Sequence, residues 1–314
     1  MIDLAVPASL LAAQSVLIAG AGGGFDIYAG IPLFEALSRK GINVTLANLS
    51  FSRLQATSVA PAVPGLYKVD ASTKLDVPYF PEGVLSRFYE SRGRQVPIYA
   101  FEKTGVVPLR TCYEYIVERE RIDAVVLVDG GTDILMRGDE AGLGTPEEDM
   151  TSLAAVSKLD VPTKLVYCLG FGIDSYHGVC HAHFLENVAA LSKTGAFLGT
   201  QSLLASMPEA ELYLDAVRYS EMHMASHPSI VNTSIASALE GAFGDVHRTE
   251  RTRTSELFIN PLMSMYWGFE LAGLVDHNLY LDALEATETV WDVQLAIEAY
   301  RAGLALRDRQ AIPH

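Results

Sequence analysis

Four short apolar runs, Ser15–Gly20, Asn43–Leu49, Ala124–Asp129 and Thr163–Leu169, are each bounded by turn-forming residues. Such runs are what strands buried on both faces of a parallel sheet require, because crossover helices cover both sides and leave no face to water. Between the first two, Ile27, Ile31, Phe34 and Leu37 recur at spacings of four, three and three, with Pro32 suited to a first turn and Gly41 to a stop. That reads as strand, helix, strand. A second unit runs from Val107 through Arg121, where Leu109, Cys112, Tyr113, Ile116 and Val117 share a helical face, into the strand at Ala124. The alternation predicts an α/β fold, Rossmann-like and doubly wound, with a mainly parallel sheet.

After residue 200 the texture changes. Helical periodicity dominates, only Glu256–Ile259 reads as a further short strand, and Leu281–Arg307 reads as one closing helix. Its packing face would carry Leu284, Trp291, Leu295, Ala302 and Leu306, with Glu285, Glu288, Asp292 and Arg301 toward solvent. Residues Ser52 to Pro81, with Pro61, Pro64, Pro78 and Pro81, form either a long loop or one short strand at Tyr67–Asp70. The expectation is a single elaborated domain over 1–314, a sheet core in 1–200 and a helix-rich C-terminal third in 201–314 packed on it.

Lysine and arginine number 23 against 38 aspartates and glutamates, a formal charge of −15. That field repels nucleic-acid phosphates and anionic membranes, so neither is expected as a partner. An acidic ligand would need local amide donors, a metal ion or a few arginines. The cysteines, Cys112, Cys168 and Cys180, are odd in number and form no C-x-x-C pair, which disfavours disulfides and a cysteine zinc site and fits a reducing cytoplasm. No basic residue precedes Arg39 and the apolar stretch Ser15–Ala21 is cut by glycines, so no secretory signal is expected. Nor does any window reach the roughly 20 apolar residues of a spanning helix.

The strongest local signal is Gly20-Ala21-Gly22-Gly23-Gly24-Phe25-Asp26, between a buried strand and a helix. Glycines there let backbone amides approach an anion at a helix N-terminus, while the bland alternative is a tight turn. It is neither G-x-G-x-x-G, since Phe25 stands where the third glycine belongs, nor a P-loop. The second strand runs into Asn48-Leu49-Ser50-Phe51-Ser52-Arg53 without the acid that grips an NAD ribose; Ser50, Ser52 and Arg53 could surround a 2′-phosphate or be plain loop residues.

Asp129-Gly130-Gly131-Thr132-Asp133, followed by Arg137-Gly138-Asp139-Glu140, again leaves a strand end. Asp129 and Asp133 are expected to meet Gly22–Asp26 in one crevice, binding hydroxyls or a divalent metal such as magnesium, unless Asp129 merely caps its own turn. A third strand end leads to Asp174, His177, His181 and His183. These histidines have ligand-like spacing, with Asp174 as an outer carboxylate, but Gly178 weakens a shared helix, and a single histidine as acid or base is the simpler reading. His223, His227 and Asn232-Thr233-Ser234 lie further on, and a helix beginning near Ser229 after Pro228 could aim amides at the site. No G-x-S-x-G elbow or cysteine-protease signature occurs.

Together, Gly20–Asp26, Ala47-Asn48-Leu49-Ser50-Phe51, Asp129–Asp133 with Gly138-Asp139-Glu140, and Ile259-Asn260-Pro261-Leu262-Met263 with Tyr266-Trp267 resemble the DUF1152 family over nearly the whole chain. The resemblance implies a Rossmann-like α/β fold and carries over no catalytic residues.

The physical reading therefore predicts an enzyme for a nucleotide-like or phosphorylated, hydroxyl-rich metabolite, working by hydrolysis or group transfer. Gly22, Gly23 and Gly24 would hold the anion, with Asn48, Ser50, Gly130, Gly131 and Thr132 beside it. Asp26, Asp129 and Asp133 would take hydroxyls or metal, and His177 or His181 the proton. The alternatives are a non-catalytic metabolite sensor whose helical third forms an oligomer interface, and an NADP-dependent oxidoreductase using Ser50 and Arg53. A homo-oligomer is the default for either.

Overall fold

The computed structural model describes residues 4–312. Eight strands, β1 (Ser15–Gly20), β2 (Asn43–Leu49), β3 (Leu66–Val69), β4 (Ile98–Phe101), β5 (Ala124–Asp129), β6 (Thr163–Cys168), β7 (Phe197–Ser202) and β8 (Met265–Glu270), form one sheet in the order β3-β4-β2-β1-β5-β6-β8-β7. Its central five, β4-β2-β1-β5-β6, are parallel. At one edge β3 runs antiparallel to β4, and at the other β8 runs antiparallel to both β6 and β7.

The pleat divides the apolar residues between two cores. Leu17, Ala19, Val125, Leu127 and Val166 point to one face, under the helices Val106–Glu120, Pro146–Ser157, His181–Thr194 and Leu271–His277. Val16, Ile18, Val126, Val128 and Leu165 point to the other, under Ile31–Arg39, Pro81–Glu90, Pro208–His223 and Ile230–Leu239. Burial on both sides explains why β1 and β5 read as unbroken apolar runs. The chain winds outward from β1 through β2 and β4, then returns to lay β5 on β1's other flank. The strand order thus reverses between β1 and β5, and the loops at their carboxyl ends diverge around a crevice.

The α/β architecture is the one expected, and the first helical crossover is split at Gly30 into Asp26–Ala29 and Ile31–Arg39. Two expectations fail. Glu256–Ile259 is not a strand: Ile259 makes one isolated bridge to Gly244, while β7 and β8 supply the strands of that region. β7 escapes a reading based on apolar runs because it is an edge strand whose residues alternate between half-buried and exposed.

The closing helix is also shorter than predicted. Leu281–Leu284 is a separate 3-10 turn, and a capping box formed by Thr289 and Asp292 starts a new helix, Val290–Arg301. The restart changes the face: Val293 and Ile297 are buried, whereas Trp291 is 69% and Leu295 62% exposed. Ala302 and Leu306 are exposed as well, leaving Leu284 alone of the predicted face in the core. Ile297→Ala is therefore expected to cost about 2–4 kcal/mol and Trp291→Ala within about 0.5 kcal/mol in urea unfolding; equal losses would contradict this face assignment. Among the described residues no helix is long and apolar enough to cross a membrane.

Candidate functional site

At the end of β1 the chain turns through Gly22, Gly23 and Gly24, and at the end of β5 through Gly130 and Gly131. Gly23 and Gly24 take left-handed φ angles of 91° and 65°. The others are glycines because carboxylates fill the space a side chain would need. A Cβ on Gly22 would lie 2.7 Å from Asp149 Oδ1 and 2.8 Å from Asp26 Oδ2; one on Gly130 would lie 2.9 Å from Asp26 Oδ1. One on Gly131 would meet Asp174 Oδ2 at 2.8 Å and Asp133 Oδ1 at 3.1 Å.

Four buried aspartates and the half-buried Asp26 thus converge at the switch point. Asp26 opens the helix Asp26–Ala29, Asp129 ends β5, and Asp149 lies near the start of helix Pro146–Ser157. That helix is fastened to the glycine loop by Ser152, whose hydroxyl donates to the Ala21 carbonyl at 2.8 Å. One carboxylate oxygen each from Asp26, Asp129 and Asp149 fall within 4.8 Å of one another. Asp133 accepts from the Thr145 amide at 2.7 Å and its hydroxyl at 2.9 Å, and Asp174 accepts from the Thr132 amide at 2.7 Å. Asp129 Oδ2 accepts from the Ile134 amide at 3.3 Å. Both oxygens of Asp149, and Oδ2 of Asp26, are buried without any hydrogen-bond partner.

Buried anions this close oppose one another's ionisation. Burial first, and the Asp133 charge second, push the Asp26 carboxyl up to about 8. Burial is also the leading cause that holds Asp129, Asp149 and Asp174 well above the carboxylate range, with the Asp133 charge next for each. Asp133 itself is raised by burial, against the pull of its Thr145 bonds.

The residues singled out from the sequence fall into two groups. Asp26, Asp129, Asp133, Gly22, Gly130, Gly131 and Thr132 come together as described. The glycine loop is not the open anion cradle expected of it: the Gly22 and Gly23 amides turn toward Asp26's own carboxylate, and the Gly24 amide donates to the Leu49 carbonyl at 2.9 Å. Asn48 and Ser50 lie beside this loop as supports. Asn48 Nδ2 donates to the Gly24 carbonyl at 2.8 Å and to Glu82 Oε1 at 2.7 Å, while the Ser50 hydroxyl accepts from the Ser52 amide. Glu82, fully buried, is pushed up to about 7 by desolvation.

The histidines do not form a trio. His177 ends the 3-10 turn Ile173–His177, Gly178 follows at φ 95°, and His181 begins a separate helix in which His183 is buried. His181 packs on Phe171, whereas Asp174 turns to Thr132 and the acid cluster, not to a histidine. Gly138-Asp139-Glu140 is structural: Glu140 accepts from the Gly138 amide and from Asn187, and Asp139 pairs with Arg137 and Arg307.

Above the cluster opens a cavity of about 320 Å³ whose lining includes Ile173, Asp174, His177, Val231, Arg251 and Leu257. Ser229 caps helix Ile230–Leu239 as the sequence suggests, accepting from the Asn232 amide at 3.0 Å. The helix brings Val231 over Gly130, to within 3.6 Å of where a Cβ would stand, so the cavity wall adjoins the turn that holds Asp26. Sequence reading missed Asp149 and Arg251. An acid near a helix start is ordinary dipole complementation, and an arginine in a loop carries no spacing signal.

A family described as protein of unknown function, DUF1152, matches residues 88–302, more than half of the chain. No curated protein and no solved structure matches it.

Proposed function

The chain belongs to the DUF1152 family, and from its buried carboxylates we propose that it is a divalent-metal-dependent hydrolase or transferase acting on a phosphorylated, hydroxyl-rich metabolite. One observation carries the reading: both oxygens of the buried Asp149 lack any protein partner while facing Asp26 and Asp129. A desolvated carboxylate left unpaired among four others is costly, and a hard cation with oxygen ligands removes that cost. The donor set fits magnesium or manganese, with Asp26, Asp129 and Asp149 as its carboxylates.

When bound, such an ion supplies Lewis-acid polarisation of a phosphoryl oxygen and a water of lowered pKa. The chain's own groups do the rest. Asp133 and Asp174, fixed by Thr145 and Thr132, offer carboxyl oxygens on the side of the cluster toward the cavity for hydrogen bonds with substrate hydroxyls or water. His177 lines the cavity and, when charged, draws the Asp133 carboxyl down, so it is the group that carries a proton to or from the reacting oxygen. Asn48 and Glu82 hold the glycine loop against the cluster. Its position over the acids also separates this reading from a nicotinamide site, because Ser50 is buried and Arg53 is an exposed loop residue.

Mn²⁺ titration followed by electron paramagnetic resonance tests the reading. The parent is expected to bind one equivalent, and Asp149→Asn to lose binding by at least roughly tenfold, in line with removal of a charged ligand. Unchanged binding in the variant overturns it.

A further inference from the structure

We infer that the cavity above the acid cluster takes a nucleoside monophosphate, with its phosphate drawn to Arg251 and its base resting on Tyr176. The inference rests on the metal-site reading for the identity of the second phosphate partner, and on the cavity's own walls for everything else.

Size is the first constraint. At about 320 Å³ the cavity lies at the lower end of the roughly 300–1,000 Å³ typical of small-molecule sites, enough for one base, one ribose and one phosphate and too little for a dinucleotide. The walls then differ in chemistry. Ile173, Ile230, Val231 and Leu257 give an apolar side. Tyr176 and His177 stand at one rim with ring centroids 5.4 Å apart, and Tyr176 is 75% exposed. An aromatic left in water at a cavity mouth is a stacking platform for a base, and stacking tolerates any ring with a π-face. Thr254 and Ser255 add hydroxyls to the lining.

Arg251 is the specific anchor. One of its donors, Nη1, bonds the Pro228 carbonyl at 2.7 Å, which fixes the guanidinium, and among the described residues it makes no ion pair. In a chain of −15 charge, where Arg39, Arg92, Arg94, Arg218, Arg248 and Arg307 all meet carboxylates, an arginine that lines a cavity and makes no ion pair among the described residues is available to an anion. The cavity's other charged wall is Asp174, of the acid cluster. An anionic ligand is repelled from that side unless a cation lies between, so Arg251 sets which end carries the phosphate.

Calorimetric titration with adenosine 5′-monophosphate, adenosine, ribose 5-phosphate and NADP, each with and without Mn²⁺, tests the inference. Adenosine monophosphate is expected to bind at least tenfold more tightly than the other three. Arg251→Gln should weaken it roughly tenfold or more while leaving adenosine unchanged. Thr254→Trp, at an exposed rim position, should abolish binding without lowering the melting temperature. Equal binding of adenosine monophosphate to parent and Arg251→Gln, or binding of NADP as tight as that of the monophosphate, overturns the inference. The two readings fail separately. Asp149-dependent Mn²⁺ binding without any nucleotide response removes the pocket assignment alone, and Arg251-dependent nucleotide binding without any Mn²⁺ response removes the metal assignment alone.

Discussion

Asp149→Asn, in the absence of divalent cations, is expected to melt several degrees higher than the parent and to gain nothing when magnesium is added. The carboxyl of Asp149 is fully desolvated, lacks a partner for either oxygen and faces the Asp133, Asp129 and Asp26 charges, all of which hold it above its ordinary range. The folded state therefore favours a proton on it that the unfolded chain has released, a difference that opposes folding more strongly as pH rises. Asparagine has the same shape and no proton to hold, so the substitution removes that opposition and the melting temperature rises by several degrees. The same change removes a cation ligand. Melting curves with and without 5–10 mM magnesium, roughly, decide the matter: a variant that melts lower than the parent and still responds to magnesium removes Asp149 from the site. A residue whose loss stabilises the protein while abolishing turnover is the signature of a functional group kept at the expense of stability.

The second large effect is a crossing of pH profiles. Asp26 is pushed up to about 8 by burial and by Asp133, and Asp129, Asp133, Asp149 and Asp174 are raised for the same leading reason. Groups with folded values above their unfolded values contribute stability that is complete below about pH 4 and lost as pH rises through their folded values. The cation-free protein should therefore weaken steadily from pH 5 to pH 9. Glu82, pushed up to about 7, acts in the same sense. Ion-paired acids such as Asp139, held at about 2 by Arg137, behave oppositely, but their window lies below pH 4 and does not overlap. A divalent cation requires the ionised carboxylates, so its stabilisation grows over the interval in which the cation-free protein declines. Melting temperatures from pH 5 to 9, with and without magnesium, should diverge upward by several degrees. Stability that rises with pH without cation, or a magnesium gain larger at pH 5 than at pH 8.5, would contradict the cluster as a cation site.

How much of this was legible in the sequence follows from which signals are local. The strands β1, β2, β5 and β6 stand out because burial on both faces leaves an apolar run that needs no partner to be recognised. Asp26, Asp129 and Asp133 stand out because each adjoins a glycine turn at a strand end. Asp149 does not, since Glu147, Glu148 and Asp149 look alike as acids in a first helical turn; only the Ser152 bond to Ala21 tells which one faces the site. Asp174 reads as a partner for nearby histidines until the fold sets it against Thr132. The reading of Leu281–Arg307 as one helix fails through a competition between two periodic faces, settled by the capping box at Thr289, which restarts the helix and buries Val293 and Ile297 in place of Trp291 and Leu295. The glycine loop misleads for a different reason: the Gly22 and Gly23 amides turn toward the chain's own Asp26 and the Gly24 amide donates to Leu49, a preference that depends on where the helix begins and not on the loop's composition.

The insertion of β8 between β6 and β7 imposes an order on synthesis. β6 is finished at Cys168 and β7 at Ser202, yet neither pairs with the other, and the strand that joins them ends only at Glu270. While the ribosome adds those intervening residues, the nascent chain carries an open apolar edge on β6 and a second strand with nothing to pair with. At about 5–20 residues per second that interval lasts several seconds. A chain truncated before Met265 would keep that edge open for good, and chaperones would meet it there rather than at the acid crevice, whose strands are complete a hundred residues earlier.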